Sequence, residues 1–385
     1  MKWCLAPAMV IVLLGCGGGG DVTSTLQPDT GAGGPTKGPN ACDDKAPCAS
    51  GSQCSGGVCV LAPAAEAKLT DNRTDEAVAG APNLDCVDVP LAAPAGPATT
   101  TAYGIVDRFG GGRKTIGIEV SIFKASEWPP AECTAKPIEE QKECFRTLPS
   151  PLKAISTDPS AGSPALPQTC VEHLDCPPGH ECTTLDNKIS YHCEPQFGLY
   201  EIPDVPTNTL LVIRSRNIEP TYESKWHDTY VYNSYLYADK VKEGRYRVNA
   251  LMVSDGQWIT VPSTLSVKGG IKKTHSAVGG RIRDCRTDAR PGFTIGEAAV
   301  ALETPGSATG YFNDDEDDTV PIANRTATDI FGRFAIVDVV PGKNRIAAAA
   351  RVGAAVTTLG AEDLYIVPDA LIVVAFPGKE AILKK

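Results

Sequence analysis

The densest run of charged side chains in this 385-residue chain lies at residues 313–318, Asn-Asp-Asp-Glu-Asp-Asp. Clustered carboxylates repel one another, and a hard cation such as calcium relieves that repulsion by binding their oxygens. The candidate calcium ligands are Asp314, Asp315 and Asp317. An EF-hand loop, however, needs glycine and glutamate where this chain has Asp318 and Asn324. Each carboxylate pair costs only about 1 kcal/mol in water near 4 Å. We therefore expect a solvated hairpin loop, and calcium binding is the alternative.

Residues for acid–base or nucleophilic catalysis are sparse. The chain has five histidines, and it contains no HExxH, G-x-S-x-G or Walker pattern and no G-x-G-x-x-G after a predicted strand. His227 and Asp228 follow Ser224, but neighbours on one short stretch cannot converge as a catalytic triad must. We therefore expect a non-enzymatic protein without a cofactor. A hydrolase with a dispersed site is an alternative.

Aromatic residues are concentrated near Trp226, at Tyr230, Tyr232, Tyr235 and Tyr237. Such a row of rings could stack on a sugar, although aromatic strands more often form core or cross-strand pairs. The change of parity between Tyr232 and Tyr235 places the four rings on two faces of the strand. We therefore expect packing, and a calcium-dependent carbohydrate-binding or adhesion module is the alternative.

The first residues have the form of an export signal. Lys2 precedes an apolar run from Ala6 to Leu14, which is too short to cross a bilayer as a helix. The segment Leu13-Leu14-Gly15-Cys16 resembles the lipobox of bacterial lipoproteins. That resemblance implies that Cys16 becomes the lipidated first residue of the mature chain. Since Gly17 is not aspartate, the resemblance also implies the outer membrane. A plain secreted protein and a buried helix are the other interpretations.

The cysteine count agrees with export. Removing Cys4 with the signal and lipidating Cys16 leaves twelve of the 14 cysteines, and an even number in an exported chain favours disulfides. Two groups share a spacing of five intervening residues, followed by a fourth cysteine: Cys42, Cys48, Cys54 and Cys59, and Cys170, Cys176, Cys182 and Cys193. They are similar to cysteine-rich segments of lipoproteins from Gram-negative bacteria. Such short modules cannot build a core, so crosslinks of about 2–4 kcal/mol each must hold them.

Pairing within a module stays open among three connectivities, and first-to-third with second-to-fourth is our preference. Zinc competes in the second module because His173, His180 and His192 lie among its thiols, but zinc needs reduced cysteines. Cys133 with Cys144 forms a plausible local pair. Cys86 with Cys285 is what elimination leaves.

From Tyr103 onward, short β-branched or aromatic runs alternate with Gly, Pro, Asn and Asp turns, which predicts an all-β fold. An internal repeat organises this region, because the block 197–206 matches 331–340 with glycine, aromatic, isoleucine, aspartate and valine in register. Each block also has matching opening strands upstream, at 103–107 with 117–122 and at 279–284 with 296–301. Three matching blocks in one order indicate a tandem of two related domains.

The second copy resembles the carboxypeptidase regulatory-like domain through Gly280-Arg281-Ile282-Arg283-Asp284, 297–300, and 328–334 with Pro341-Gly342. That resemblance implies a transthyretin-like β-sandwich, and it gives little information on function. The first copy departs from the pattern, with Thr207-Asn208 in place of Pro-Gly. The predicted organisation is a signal peptide (1–15), a flexible tether (16–41), a four-cysteine module (42–59), an Ala/Pro-rich linker (60–101), β-sandwich 1 (102–268) with a cysteine-rich insertion (about 124–195), and β-sandwich 2 (277–378).

Composition excludes one class of partner. The chain has 36 basic and 46 acidic residues, for a net charge of −10, and no basic cluster, so we expect no nucleic-acid binding. We expect a lipid-anchored protein of the bacterial cell envelope that touches the membrane through its anchor. Its role would be a surface or periplasmic binding or scaffold component for a protein or glycan ligand.

Overall fold

A computed structural model describes residues 38–43, 45–71, 76–87, 89, 92–108, 115–157, 166–169, 180–184, 191–195, 198–218, 226–285, 293–315 and 318–376, with the backbone alone at 166–169, 180–184 and 191–195. Cys16, Cys170, Cys176, Ser224 and Asp317 lie outside these residues, as do the predicted signal peptide and most of the tether. The described chain is all-β, which confirms the predicted fold class. Within it, no helix has the length and apolar character needed to span a membrane.

The repeated region is built from strands that follow the alternating runs of the sequence. In the first copy the elements are β5 (Thr99–Arg108), β6 (Ile118–Lys124), α1 (Ala131–Thr134), α2 (Ile138–Thr147), β7 (Lys153–Ile155), β8 (Leu166–Thr169), β9 (His180–Thr184), β10 (Tyr191–Pro195), β11 (Leu199–Pro206), β12 (Leu210–Asn217), β13 (Trp226–His227), β14 (Thr229–Tyr235), β15 (Arg245–Arg247), β16 (Ala250–Ser254) and α3 (Asp255–Thr264). In the second copy they are β17 (Ser276–Ile282), β18 (Phe293–Gly296), β19 (Ala298–Leu302), β20 (Ala308–Phe312), β21 (Pro321–Ile322), β22 (Arg333–Val339), β23 (Gly342–Val352), β24 (Ala355–Ile366) and β25 (Leu371–Phe376). Before the repeats lie β1 (Ser52–Ser55), β2 (Val58–Leu61), β3 (Lys68–Asp71) and β4 (Glu76–Val78).

The two copies have the same strand pairing. In the first copy β5 pairs antiparallel with β11 and parallel with β15 and β16, and in the second β17 pairs antiparallel with β22 and parallel with β25. The other layer is β6–β12–β14 in one copy and β19–β23–β24 in the other. The repeat seen in the sequence therefore corresponds to a repeat of topology.

Backbone details repeat as well. Asp204 and Asp338 both take positive φ, 58° and 57°, and each lies where the register of its strand pair shifts. Gly198 and Gly332, which precede β11 and β22, have φ of 72° and 67°. These are left-handed conformations that glycine adopts without steric cost, as the repeated block predicts.

One sheet runs through both copies. Thr229, Tyr230 and Val231 of β14 pair in parallel with Leu371, Ile372 and Val373 of β25. This pairing creates a nine-stranded sheet in the order β21-β20-β22-β17-β25-β14-β12-β6-β7. The two sandwiches are therefore joined by backbone hydrogen bonds as well as by the connecting chain.

Equivalent layers of the two copies are covered by different partners. On β12 the buried Arg214 donates to the carbonyl oxygen of Phe145 on α2 at 2.6 Å and pairs with Glu119 at 3.2 Å. On β23 the outward residues Ala347 and Ala349 instead pack against Val58 and Val60 of β2. Small alanine side chains admit a close hairpin, whereas the polar face of the first copy requires hydrogen-bonding partners from a helix.

The Ala/Pro-rich segment that we predicted as a linker contains two strands. β3 pairs with β18 of the second copy, and β4 extends that pairing. Further along, the carbonyl oxygens of Ala92 and Pro94 accept hydrogen bonds from Tyr235 and Asn208 of the first copy. The segment therefore lies against both sandwiches before it enters β5.

Candidate functional site

The acidic loop closes around a buried arginine. Arg333 of β22 is 4% exposed, and its guanidinium donates to the carbonyl oxygens of Asn313 at 2.9 Å, Asp315 at 2.7 Å and Asp318 at 3.1 Å. Asp314 accepts from the Arg325 guanidinium and from a backbone amide, each at 3.0 Å. Of the predicted calcium ligands, Asp314 thus has a side-chain cation and a backbone donor on its carboxylate.

Arg333 is itself held by a buried carboxylate. Its Nε lies 2.5 Å from Asp329, which is fully buried, and its guanidinium lies 5.1 Å and 5.2 Å from the ring centroids of Phe312 and Phe331. Burial raises the pKa of Asp329, although the charge and hydrogen bonds of Arg333 oppose that rise. A buried pair of this kind fixes geometry more than it adds stability. Arg333 therefore fixes the described parts of the acidic loop, at 313–315 and at 318.

Metal-ligand geometry is limited among the described residues. The single group there of three or more potential ligand atoms within metal-binding distance is that of Cys42, Cys48 and Cys59. Their sulfurs belong to disulfides, since Cys42 bonds to Cys54 and Cys48 to Cys59. Asp317, the third predicted calcium ligand, lies outside the described residues, so calcium binding stays a prediction.

The four tyrosines are interior residues. Tyr230 is 1% exposed, Tyr232 8%, Tyr235 7% and Tyr237 4%. Tyr232 accepts from the Trp128 indole at 2.6 Å and donates to the carbonyl oxygen of another tyrosine at 2.8 Å. The expected packing role therefore holds, and these rings offer no open face on which a sugar could stack.

A polar cluster lies where four elements meet. His227 of β13 is flanked by Asp255 at the start of α3, 2.9 Å from Nε2, and by Asp369 before β25, 3.4 Å from Nδ1. Its ring stacks on Trp258 with centroids 4.1 Å apart and planes 12° apart. Lys142 of α2 pairs with the other oxygen of Asp369. Burial alone would raise the pKa of Asp369, but hydrogen bonds from His227 and Lys142 outweigh it and lower that pKa.

Asp228, the next residue, is paired with a different side chain. Its carboxylate is buried and lies 3.6 Å from Arg146, and burial raises its pKa to about 6 despite the charge of that arginine. His227 and Asp228 therefore act on different partners. Ser224 lies outside the described residues, so the expectation that 224–228 forms no triad stays a prediction.

A second histidine cluster contains a serine, a histidine and an aspartate, but they are not connected as in a catalytic triad. Asp338 Oδ1 lies 2.7 Å from His275 Nδ1 and 3.0 Å from the backbone nitrogen of Lys272, while Ser307 donates to Oδ2. The serine hydroxyl is bonded to the carboxylate and not to the imidazole, so it lacks the base that would activate it. The Lys272 ammonium lies 3.3 Å from Oδ2, so Asp338 is a structural carboxylate with four donors.

Helix α3 positions both Asp255 and Trp258, and we did not predict it. The signal was present, because Ser254-Asp255-Gly256-Gln257 is a capping-box sequence. In the structure Ser254 accepts from the Gln257 backbone amide at 3.4 Å, and the Gln257 side chain accepts from the Ser254 amide at 3.2 Å.

Four disulfides are present among the described residues, linking Cys42–Cys54, Cys48–Cys59, Cys86–Cys285 and Cys133–Cys144. In the first module Cys54 and Cys59 are register partners on β1 and β2. In the second, Cys182 and Cys193 are register partners on β9 and β10. The two modules therefore share a hairpin in which two cysteines occupy paired register positions.

Comparison with known proteins leaves the family open. No family model and no curated protein matches the chain. Among solved structures, it is similar to the shaft pilin SpaA of Lactobacillus rhamnosus GG, with 11% identity over 72% of this chain and 97% of that one at a TM-score of 0.20. A minor pilin of Streptococcus agalactiae has 9% identity over 74% of this chain and 98% of its own, at a TM-score of 0.19. The TIE protein of Bacillus anthracis has 7% identity over 72% of this chain and 33% of its own, at a TM-score of 0.17.

TM-scores this low do not establish a common fold or function. The structure by itself defines the class: an all-β, disulfide-bonded chain with two topologically equivalent copies. The resemblances to bacterial lipoproteins and to carboxypeptidase regulatory-like domains remain predictions.

Proposed function

We propose that this chain is a non-enzymatic lipoprotein of the bacterial cell envelope, anchored in the outer membrane through Cys16, that presents two fixed β-sandwiches as a binding or scaffold component. The disulfides support a location outside the cytosol. Disulfides persist in oxidising compartments, and the four bonds among the described residues agree with the export signal. The Gly-, Thr- and Pro-rich sequence of the predicted tether suits a chain that is held at a membrane by its first mature residue.

The observation that carries the proposal is the way the chain is fixed where it leaves the tether. Gly38 and Asn40 donate backbone hydrogen bonds to Glu303, both at 3.0 Å. The first cysteine module then packs on the alanines of β23, and Cys86 is bonded to Cys285. Any pull from the membrane would therefore act on the second sandwich through a crosslinked segment.

The contact between the sandwiches suits a scaffold. Besides the β14–β25 pairing, Tyr232 donates to the carbonyl oxygen of Tyr365 at 2.8 Å, and the Tyr365 hydroxyl bonds to Gln141 at 2.9 Å. These buried hydrogen bonds each contribute about 1 kcal/mol and leave costly unsatisfied groups if broken. A body with such a junction holds its loops in one relative orientation, as a docking component requires.

Anchoring is tested with two cysteine variants of the full chain in a bacterial host that processes lipoproteins. We expect the wild-type chain to lose residues 1–15, to carry acyl chains at Cys16 and to partition into detergent. Cys16→Ser should abolish acylation and move the protein out of the detergent phase, whereas Cys4→Ser, in the signal itself, should change neither. Mass spectrometry showing an unmodified Cys16 in the wild type would refute the anchor.

The binding role needs a separate test. The wild-type ectodomain, crosslinked to a resin, should capture defined envelope proteins or glycans from an extract, and the same ectodomain after reduction and alkylation should not. Capture that is insensitive to reduction would show that the folded body is irrelevant. A screen with broad hydrolase substrates run in parallel would contradict the non-enzymatic role if the chain turned one over.

A further inference from the structure

A cavity of about 40 Å³ lies between helix α3 and the sheet of the second copy. Its floor includes small residues on neighbouring strands, with Gly279 of β17 directly opposite Ala335 of β22 and Ala277 two residues along, beside the larger Val337 and Leu371. Trp258 and Val261 of α3 form the roof. At these three positions the side chains are too short to fill the space beneath the helix.

Sterics do not require glycine at position 279. A Cβ added there would meet its nearest neighbours, the Phe334 carbonyl oxygen and Leu371 Cδ1, at 3.5 Å and 3.7 Å, which are ordinary contacts. At the next residue, Gly280, a Cβ would lie 1.8 Å from the Val374 carbonyl oxygen, so glycine is obligatory. Glycine inside a strand lowers stability. Position 279 therefore keeps a space that alanine would partly fill at no steric cost.

The first copy shows the same position filled. Gly104 matches Gly280, because a Cβ there would lie 1.9 Å from the Val248 carbonyl oxygen. The residue before it is Tyr103, which is 7% exposed and lies under the Arg245 guanidinium at 4.1 Å. The tandem thus places an aromatic side chain in one copy where the other has a cavity.

The lining defines the chemistry of an occupant. All of the lining side chains but one are apolar, and the exception, Gln257, bonds through its oxygen to the amide and hydroxyl of Ser254 at the helix cap. The described residues that line the cavity include no charged side chain. Trp258, Val261 and Ile271 are half-buried and form the side toward solvent.

From these features we infer that the cavity binds the methyl end of an alkyl chain. An apolar cavity of about 150 Å³ holds benzene, so this smaller one takes one to three carbon atoms. The rest of the chain would leave past Trp258 and Ile271. This inference concerns a ligand site between α3 of the first copy and the sheet of the second, and it does not depend on the lipid at Cys16.

The test compares two alcohols of equal length, 1-hexanol and 1,6-hexanediol. The protein is the deuterated full chain carrying Cys16→Ser, which needs no detergent, and the readout is the amide resonance of Ala335. We expect saturable shifts with 1-hexanol and at least tenfold weaker ones with the diol, because both ends of the diol carry hydroxyls. Equal responses to the two alcohols would overturn the inference.

Two glycine variants complete the design. Gly279→Val should abolish the saturable shift, and Gly256→Ala, on the exposed side of α3 with 3.8 Å to its nearest neighbour, should preserve it. If Gly279→Val does not fold, Gly279→Ala should raise the melting temperature and weaken 1-hexanol binding at least threefold. Unchanged binding in the folded position-279 variant would refute the site.

Discussion

Replacing Asp338 by asparagine should destabilise the protein in a manner that depends on pH. Burial alone would raise the pKa of Asp338, but hydrogen bonds from Ser307 and the Lys272 amide, with the charge of His275, outweigh it and lower the pKa from 3.8 to about 2. The folded state therefore binds a proton at Asp338 less readily than the unfolded state does. The resulting stability is fully present above pH 4 and is lost as the pH falls through 2.

The magnitude follows from the size of that shift. At 1.36 kcal/mol per pH unit, the difference between 3.8 and about 2 corresponds to about 2 kcal/mol at pH 7 and roughly half of that at pH 3. Asp338 side-chain exposure is 2%, so solvent screening removes little of it. Asparagine tolerates the positive φ of this position. The substitution removes the charge and replaces one accepting oxygen by an amide donor, so the pH-dependent part of the deficit measures the charge.

The assay is urea unfolding of Asp338→Asn and wild type at several pH values between 3 and 7. The repeat supplies a matched control, Asp204→Asn, because Asp204 has the same left-handed conformation, with φ of 58° against 57°, but is exposed. We expect the control to change the unfolding free energy by less than about 0.5 kcal/mol. An Asp338→Asn deficit that is equal at pH 3 and pH 7, or that Asp204→Asn reproduces, would refute this reasoning.

Two further predictions concern crosslinks and a buried acid. The Cys86→Ser/Cys285→Ser variant opens a link of sequence separation 199, against 11 for Cys133→Ser/Cys144→Ser, and the chain-entropy relation gives losses of about 5 and about 3 kcal/mol in urea unfolding. Equal losses would contradict the loop-length argument. Asp228→Asn should stabilise the protein by about 2–3 kcal/mol at pH 7, because burial raises the pKa of this acid to about 6 and ionisation costs the folded state as pH rises from 4 to 6. Its gain should fall below about 1 kcal/mol at pH 4, and a constant gain measured by thermal unfolding would disprove the assignment.

Much of the sandwich architecture could be predicted because its strands alternate. The repeated block predicted at 331–340 contains β22 (Arg333–Val339), and the opening strand predicted at 296–301 overlaps β19 (Ala298–Leu302). Strand β24 escaped prediction, although it has 12 residues. Its sequence contains Gly360 and the acidic pair Glu362-Asp363, and its extended form depends on pairing with β23 across a bulge.

The polar clusters could not be predicted for a different reason. His227 and Asp369 are distant in sequence, and their proximity follows from the parallel β14–β25 pairing. No local sequence pattern predicts that pairing. Arg333 likewise reads as an ordinary outward residue of a strand, yet it is buried beneath the acidic loop. Both depend on how distant strands assemble, which periodicity alone leaves undetermined.

The bond between Cys86 and Cys285 also decides what a protease could achieve. Hydrolysis of one peptide bond anywhere between these residues would yield two fragments that remain a single covalent molecule. Such a nicked form would migrate as one species on a non-reducing gel and as two after addition of thiol. A surface-exposed protein with this connectivity can be cut without shedding either half, provided that its surroundings stay oxidising.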